Sequence, residues 1–123
     1  MKIKPTKSLN LPPGEYVARI ITVEPQEGNY GPVHMFTFMI ERGEHKKAEL
    51  QRMLPAKITD RNLYGKLITA LFGSVDMEKE YDTDEFEFKP VILVIENRET
   101  KQGIFGRIVD FKPFKEKDEP KTT

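Results

Sequence analysis

Twelve side chains in this sequence are of the types that hold a flexible polyanion: the cations Arg19, Arg42, Lys46, Lys47, Arg52, Lys57, Arg98, Lys101 and Arg107, and the rings Tyr30, His34 and Phe105. Cations along a groove neutralise phosphates, and flat rings stack on bases at ~1–3 kcal/mol per base. Net charge is zero, from twenty basic and twenty acidic residues, so the distribution carries the argument and the sum does not. Five basic residues between Arg42 and Lys57 face only Glu44 and Glu49, whereas Asp76 to Glu87 holds seven acidic residues and one Lys. The two signs are segregated along the chain. Each residue also has a plain structural use. Tyr30 sits in a loop flanked by Gly and Pro, His34 falls on the row of Phe36 as a strand-end or core-edge histidine, and Lys46 and Lys47 serve solubility in a turn.

Catalytic patterns are sparse. Two His and no Cys give no thiolate zinc site, no Cys nucleophile and no His-Glu-x-x-His spacing. No Gly-rich phosphate loop follows a strand. Asp82, Asp84, Glu85 and Glu87 lack the Gly and the loop length of a calcium-binding hand, and acidic residues at a helix start are favoured by its dipole in any case. The residues point to binding without catalysis, with neither cofactor nor metal.

Alternation and punctuation predict the elements that must position these side chains. Residues 1–13 read as a flexible basic arm ending in Leu11-Pro12-Pro13, and residues 115–123 as a disordered charged tail. Between them a domain of residues 14–114 has enough Phe, Met, Val, Ile and Leu for one core. A first strand runs from Glu15 to Val23 with Tyr16, Ala18 and Ile20 on one face, and Pro25 stops it. Residues 26–32 form a loop. A second strand, Val33 to Arg42, turns Phe36, Phe38 and Ile40 inward and Met35, Thr37 and Met39 outward. After a turn at 43–46, Lys47 to Leu54 is a third strand.

The clearest helix follows, capped by Thr59 or Asp60, striped by Leu63, Tyr64, Leu67, Ile68, Leu71 and Phe72, and stopped by Gly73. A short helical turn falls within Thr83 to Phe88. Val91 to Glu96 is the fourth strand, Asn97 to Gly103 a polar loop, and Ile104 to Phe111 the last strand. Phe105 is a core residue if Arg107 and Val109 share an inward row with it, and a platform if Ile104 and Ile108 point inward. Gly106, on the second row, favours the platform by giving the sheet room to bend.

Three strands, one helix and two strands make a mainly β, OB-fold-like five-stranded Greek-key barrel with one helix between strands three and four, the helix plugging an open end. A generic α+β sheet with the same element order is the competing architecture. On such a barrel the usual binding surface is strands two and three with the loops joining strands one and two and strands four and five. Tyr30 and Phe105 are then expected on one side of that face, flanking a single strand.

The opening Gly14-Glu15-Tyr16-Val17-Ala18-Arg19-Ile20 resembles that of the phage-type single-stranded-DNA-binding-like proteins, which begin Gly-x-Tyr-x-Ala-x-Ile. The likeness continues through Phe36-Thr37-Phe38-Met39-Ile40, Ala70-Leu71-Phe72-Gly73, the acidic turn Thr83 to Pro90, and Gly106-Arg107-Ile108-Val109-Asp110-Phe111-Lys112-Pro113, over about residues 14–113. The order of the pieces carries it more than any one piece. The resemblance implies an OB-fold and sequence-tolerant binding of single-stranded DNA in replication or recombination, with RNA as the other candidate polymer. One departure is the tail Lys115 to Lys121, whose charges balance where many such proteins end in an acidic partner-recruiting segment.

The rival reading is a protein-interaction or structural module, a phage or replisome accessory subunit that binds no nucleic acid. There the outward Met35 and Met39, with Val17 and Ile21, meet a partner or a second copy in a homodimer. The start of the chain lacks the apolar stretch of a secretory signal, and no apolar run approaches the ~20 residues of a membrane helix, so a cytoplasmic protein with no membrane partner is expected.

Overall fold

Phe36, Phe38 and Ile40 are fully buried and Met35 and Met39 half-buried, as period two predicts for the second strand, but Thr37, expected on the outward row, is buried as well at 9% exposure. The computed structural model describes residues 11–101 and 103–114, apart from the side chains of residues 100, 104 and 105. The tail, the first ten residues of the arm and the ring of Phe105 therefore lie outside the described residues.

Five strands and one α-helix follow in the order β1 (Gly14–Gly28), β2 (Gly31–Ile40), β3 (Glu49–Pro55), α1 (Leu63–Phe72), a 3-10 turn (Thr83–Glu85), β4 (Pro90–Thr100) and β5 (Gly103–Lys112). All neighbours pair antiparallel in one sheet of order β3-β2-β1-β4-β5. The sheet is open, with β3 and β5 as its two edges. Helix α1 packs chiefly on β5 and touches β4 and β3.

The core lies on the inner face of the sheet. Phe36 stacks beside Phe38 with centroids 5.9 Å apart, meets Tyr64 of α1 edge-on at 5.4 Å, and stacks with Phe86 at 6.2 Å. Burying each such ring contributes ~1.5–3 kcal/mol, and these geometries add a little more. Ala18, Ile20, Leu67, Ile68, Val91 and Leu93 belong to the same cluster. Gly73, at φ 93°, ends α1 and donates its N–H to the Thr69 carbonyl, which is the stop that the sequence predicts.

Several boundaries differ from expectation, each for a physical reason. Pro25 does not stop β1. Beyond Ile20 that strand is bonded to β2 alone, so a residue without an N–H is tolerated at its open side. The predicted loop 26–32 shrinks to the two-residue turn Asn29–Tyr30 between the paired Gly28 and Gly31. The third strand starts at Glu49 because Lys47, at φ 74°, belongs to the turn. Asn62, not Thr59 or Asp60, caps α1: its Oδ1 accepts from Gly65 N at 2.8 Å, while Thr59 Oγ1 accepts from Asn62 N one step earlier. Asn97 to Thr100 is strand, not loop.

Leu11, assigned to the arm, is 2% exposed and part of the core. Gly106 serves that packing: a Cβ there would lie 2.7 Å from the Leu11 carbonyl oxygen and 3.2 Å from Ile95 Cγ2. Close approach of backbone, and not sheet bending, is what requires glycine here. Two register shifts also displace the inward rows. Ile21 is an extra residue between Ile20↔Phe38 and Thr22↔Thr37, so Val23 continues the row. Val109 is likewise extra between Ile95↔Ile108 and Val94↔Asp110, which lets both Ile108 and Phe111 face the core.

Candidate nucleic-acid interface

The edge strands β3 and β5 lie on opposite margins of the sheet, yet both line one groove. It has a volume of about 410 Å³, and its walls carry Arg52 of β3, Arg61 and Lys66 at the start of α1, Glu96 and Arg98 of β4, and Arg107 of β5. Five cations thus face a single carboxylate. Arg107 is the register partner of Glu96, and Arg98 lies two residues further along the same face of β4. Lys66 is 3.9 Å from Asp110, an exposed pairing of little energetic weight. Among the described residues, Arg52, Arg61, Arg98 and Arg107 make no ion pair.

Arg52 is the unusual member. Its register partner is Phe36, so it stands on the inward row of β3, between Leu50 and Leu54. Its Nε is buried and meets no hydrogen-bond acceptor among the described residues. Leaving such a donor unpaired costs ~1–3 kcal/mol, more for a charged group. Burial, and then the charge of Arg98, hold this guanidinium below its ordinary pKa, though an arginine so placed stays charged near neutrality. The positive end of the α1 dipole lies on the same side, since Arg61 precedes the cap and Leu63 opens the helix. The groove is built to attract negative charge.

No protein-family model matches this chain, and no curated protein does.

Of the twelve residues singled out in the sequence, the groove gathers Arg52, Arg98 and Arg107. A second concavity, of about 590 Å³, holds Arg42, Lys46 and Lys47 with Met39, Glu41 and Glu49. Three cations against two carboxylates leave it close to neutral, and Arg42 also lies 5.1 Å above the Phe114 ring. Arg19 is occupied by an ion pair with Glu41 and a hydrogen bond to the Phe88 carbonyl. Lys57 is exposed before α1, and Lys101 is exposed at the β4–β5 turn.

His34 follows its structural reading. Its Nδ1 is 2.7 Å from the Tyr64 hydroxyl, and burial lowers its pKa from 6.5, while burial raises that of Tyr64. Tyr30 is fully exposed at the tip of the β1–β2 hairpin. It does not share an end of the sheet with Phe105. With Gly14 opposite Ile95 and Arg19 opposite Pro90, β1 and β4 run in opposite directions, so their hairpin turns point to opposite ends. The expected pair of rings on one side of a face is thereby corrected. The backbone of Phe105 pairs with Arg98, beside the groove, and the burial of Ile108 agrees with the inward row that the sequence favoured.

Arg61 and Lys66 were missed. Their signal was available: two cations beside a helix start, with no acidic residue in the first turn, run against the dipole unless an anion is near. The acidic segment, by contrast, is spent locally. Asp82 and Glu85 form a capping box on the 3-10 turn, and Glu85 pairs with Lys79 at 3.1 Å. The described residues include no group of three or more His, Asp or Glu placed to hold a metal, and no helix long and apolar enough to cross a membrane.

Proposed function

We propose that this chain binds single-stranded nucleic acid in a sequence-tolerant way, DNA first and RNA as the alternative polymer, and acts by binding and not by catalysis. The observation that carries the reading is the groove lined by Arg52, Arg61, Lys66, Arg98 and Arg107, where Glu96 is the one lining carboxylate and Asp110 lies 3.9 Å from Lys66. Phosphates entering it release condensed counterions, and that release drives association. The strand order β3-β2-β1-β4-β5, with both edge strands lining one groove and a single helix beside them, supports an OB-fold-like barrel as the architecture. The resemblance of residues 14–113 to phage-type single-stranded-DNA-binding-like proteins supports a role in replication or recombination, and with it a cytoplasmic setting. Titration of a labelled oligo-dT strand, with a matched duplex as control, tests the reading. Saturable binding that favours the single strand is expected; preference for duplex overturns it.

A second reading has its own observation. Met35 and Met53 are cross-strand partners on the outer face of the sheet, and Met53 is 43% exposed. Under that reading the chain is an interaction module or homodimer, and Met35→Asp dissociates the complex while oligonucleotides never bind.

A further inference from the structure

The groove and a smaller cavity of about 140 Å³ share Arg52, Arg107 and Ile108, and the smaller one is floored by Leu11, Leu50 and Ile95. Arg52 of edge strand β3 therefore lines both hollows with Arg107 and Ile108 of edge strand β5, although no ladder joins the two edges. We propose that a single phosphate group binds at Arg52, shared with Arg98 and Arg107, and staples edge strand β3 to edge strand β5. The inference rests on reading the groove as a phosphate-binding site and adds to it a fixed contact and a mechanical consequence.

Three features assign the contact to Arg52. Its side chain lines both hollows, and the two Nη at the outer edge of the guanidinium form a fork that matches two phosphate oxygens, while the Nε–H behind them is buried with no acceptor among the described residues. The neighbouring guanidiniums repel it, and burial and the charge of Arg98 together lower its pKa, so an anion between them removes a repulsion that the bare site carries. The apolar floor keeps the local dielectric low, which strengthens a charge-assisted hydrogen bond made there. Because Arg52 belongs to β3, Arg98 to β4 and Arg107 to β5, one anion held by all three ties the margins of the sheet together. A lysine at position 52 keeps the charge and loses the fork.

The test uses the whole chain and inorganic phosphate, with chloride at equal ionic strength as the reference. Phosphate is expected to move the Arg52 Nε–H resonance saturably. At ten times its Kd it raises the thermal midpoint by about 4–8 °C over chloride, as mass-action linkage to the native state requires for a chain of this size. Arg52→Lys is expected to weaken phosphate at least tenfold (about one decade in Kd) and to remove the extra rise, since charge alone does not replace the fork. An unmoved Arg52 resonance in the native chain, or equal phosphate affinity in the Lys variant, overturns the proposal without needing any variant to fold unaided. The two readings fail separately. Oligo-dT binding with a silent Arg52 resonance sinks the staple and leaves strand binding intact; phosphate binding at Arg52 with no oligo-dT binding does the reverse.

Discussion

Removing two cations from the groove should change the salt dependence of strand binding by an amount the structure fixes. Five cations less the Glu96 carboxylate leave a net four positive charges along the walls. At ~−0.7 per neutralised phosphate on a single strand, log Kobs should fall with log salt at a slope of about −2.8. Over a fourfold rise in salt, from roughly 50 to 200 mM, that slope is a loss of about 50-fold in affinity. Arg98→Gln with Arg107→Gln removes two of the four, which lowers the slope to about −1.4 and the loss to about sevenfold. Both residues lie on strands at the rim, Arg98 is exposed, and neither makes an ion pair among the described residues, so the fold has little to lose. The assay is fluorescence anisotropy of a labelled oligo-dT strand at five or six salt concentrations, with circular dichroism to check that the variant is folded. Arg42→Gln with Lys47→Gln, in the second concavity, serves as the control and should leave the slope within about half a phosphate's worth, ~0.35, of the native value. A native slope near zero refutes the phosphate argument. A slope that changes with the control pair and not with Arg98 and Arg107 refutes the choice of groove.

Three further outcomes are expected. Leu67→Ala should lower stability by ~2–5 kcal/mol in urea unfolding, because Leu67 is wholly buried on the inner face of α1 and its truncation leaves a cavity; a loss below ~0.5 kcal/mol would mean the stripe is exposed. His34, with a folded pKa held below 6.5 by burial, stays neutral while the unfolded chain takes up a proton, so stability should fall as pH drops from about 7 through the folded value. His34→Gln should flatten that part of the profile, and equal slopes in the two proteins between pH 7.5 and 5.5 would remove the linkage. Tyr30→Ala, at a fully exposed tip away from the groove, should leave stability within ~0.5 kcal/mol and strand affinity unaltered, whereas a loss of ~1–3 kcal/mol in binding would place the strand along the β1–β2 hairpin.

The sequence was readable wherever one residue's neighbours along the chain decide its fate. Phe36, Phe38 and Ile40 take the inward face that period two assigns them, although Thr37 between the two Phe residues is buried too. Gly73 after an apolar stripe marks a helix end by the same local logic. Reading failed where a second strand or a distant segment intervened. Pro25 is tolerated because of which strands lie beside β1, and the extra residues Ile21 and Val109 shift their rows because of cross-strand register. Gly106 answers to Leu11, ninety-five positions away in the chain, through a contact that no local pattern announces. The groove is the largest case: its cations come from β3, α1, β4 and β5, and only the strand order brings them together.

That assembly also explains why the richest basic run in the sequence is not the most positive site. The five cations between Arg42 and Lys57 are divided by the fold. Arg42, Lys46 and Lys47 stay at the β2–β3 hairpin, where Glu41 and Glu49 offset them to a net charge near one in about 590 Å³. Arg52 stands on the inward row and lines the groove with Arg61, Arg98 and Arg107, where the lining cations exceed the lining carboxylate by four in about 410 Å³. Among lining side chains the second arrangement carries the larger net positive charge, so it is the more electropositive of the two. An inward-facing arginine is costly to keep in a core of Phe, Leu and Ile, and a leucine would pack there with no unpaired donor. Under the proposed reading an anion in the groove offsets the repulsion between Arg52 and Arg98, which makes Arg52 the residue whose presence argues most directly for a ligand.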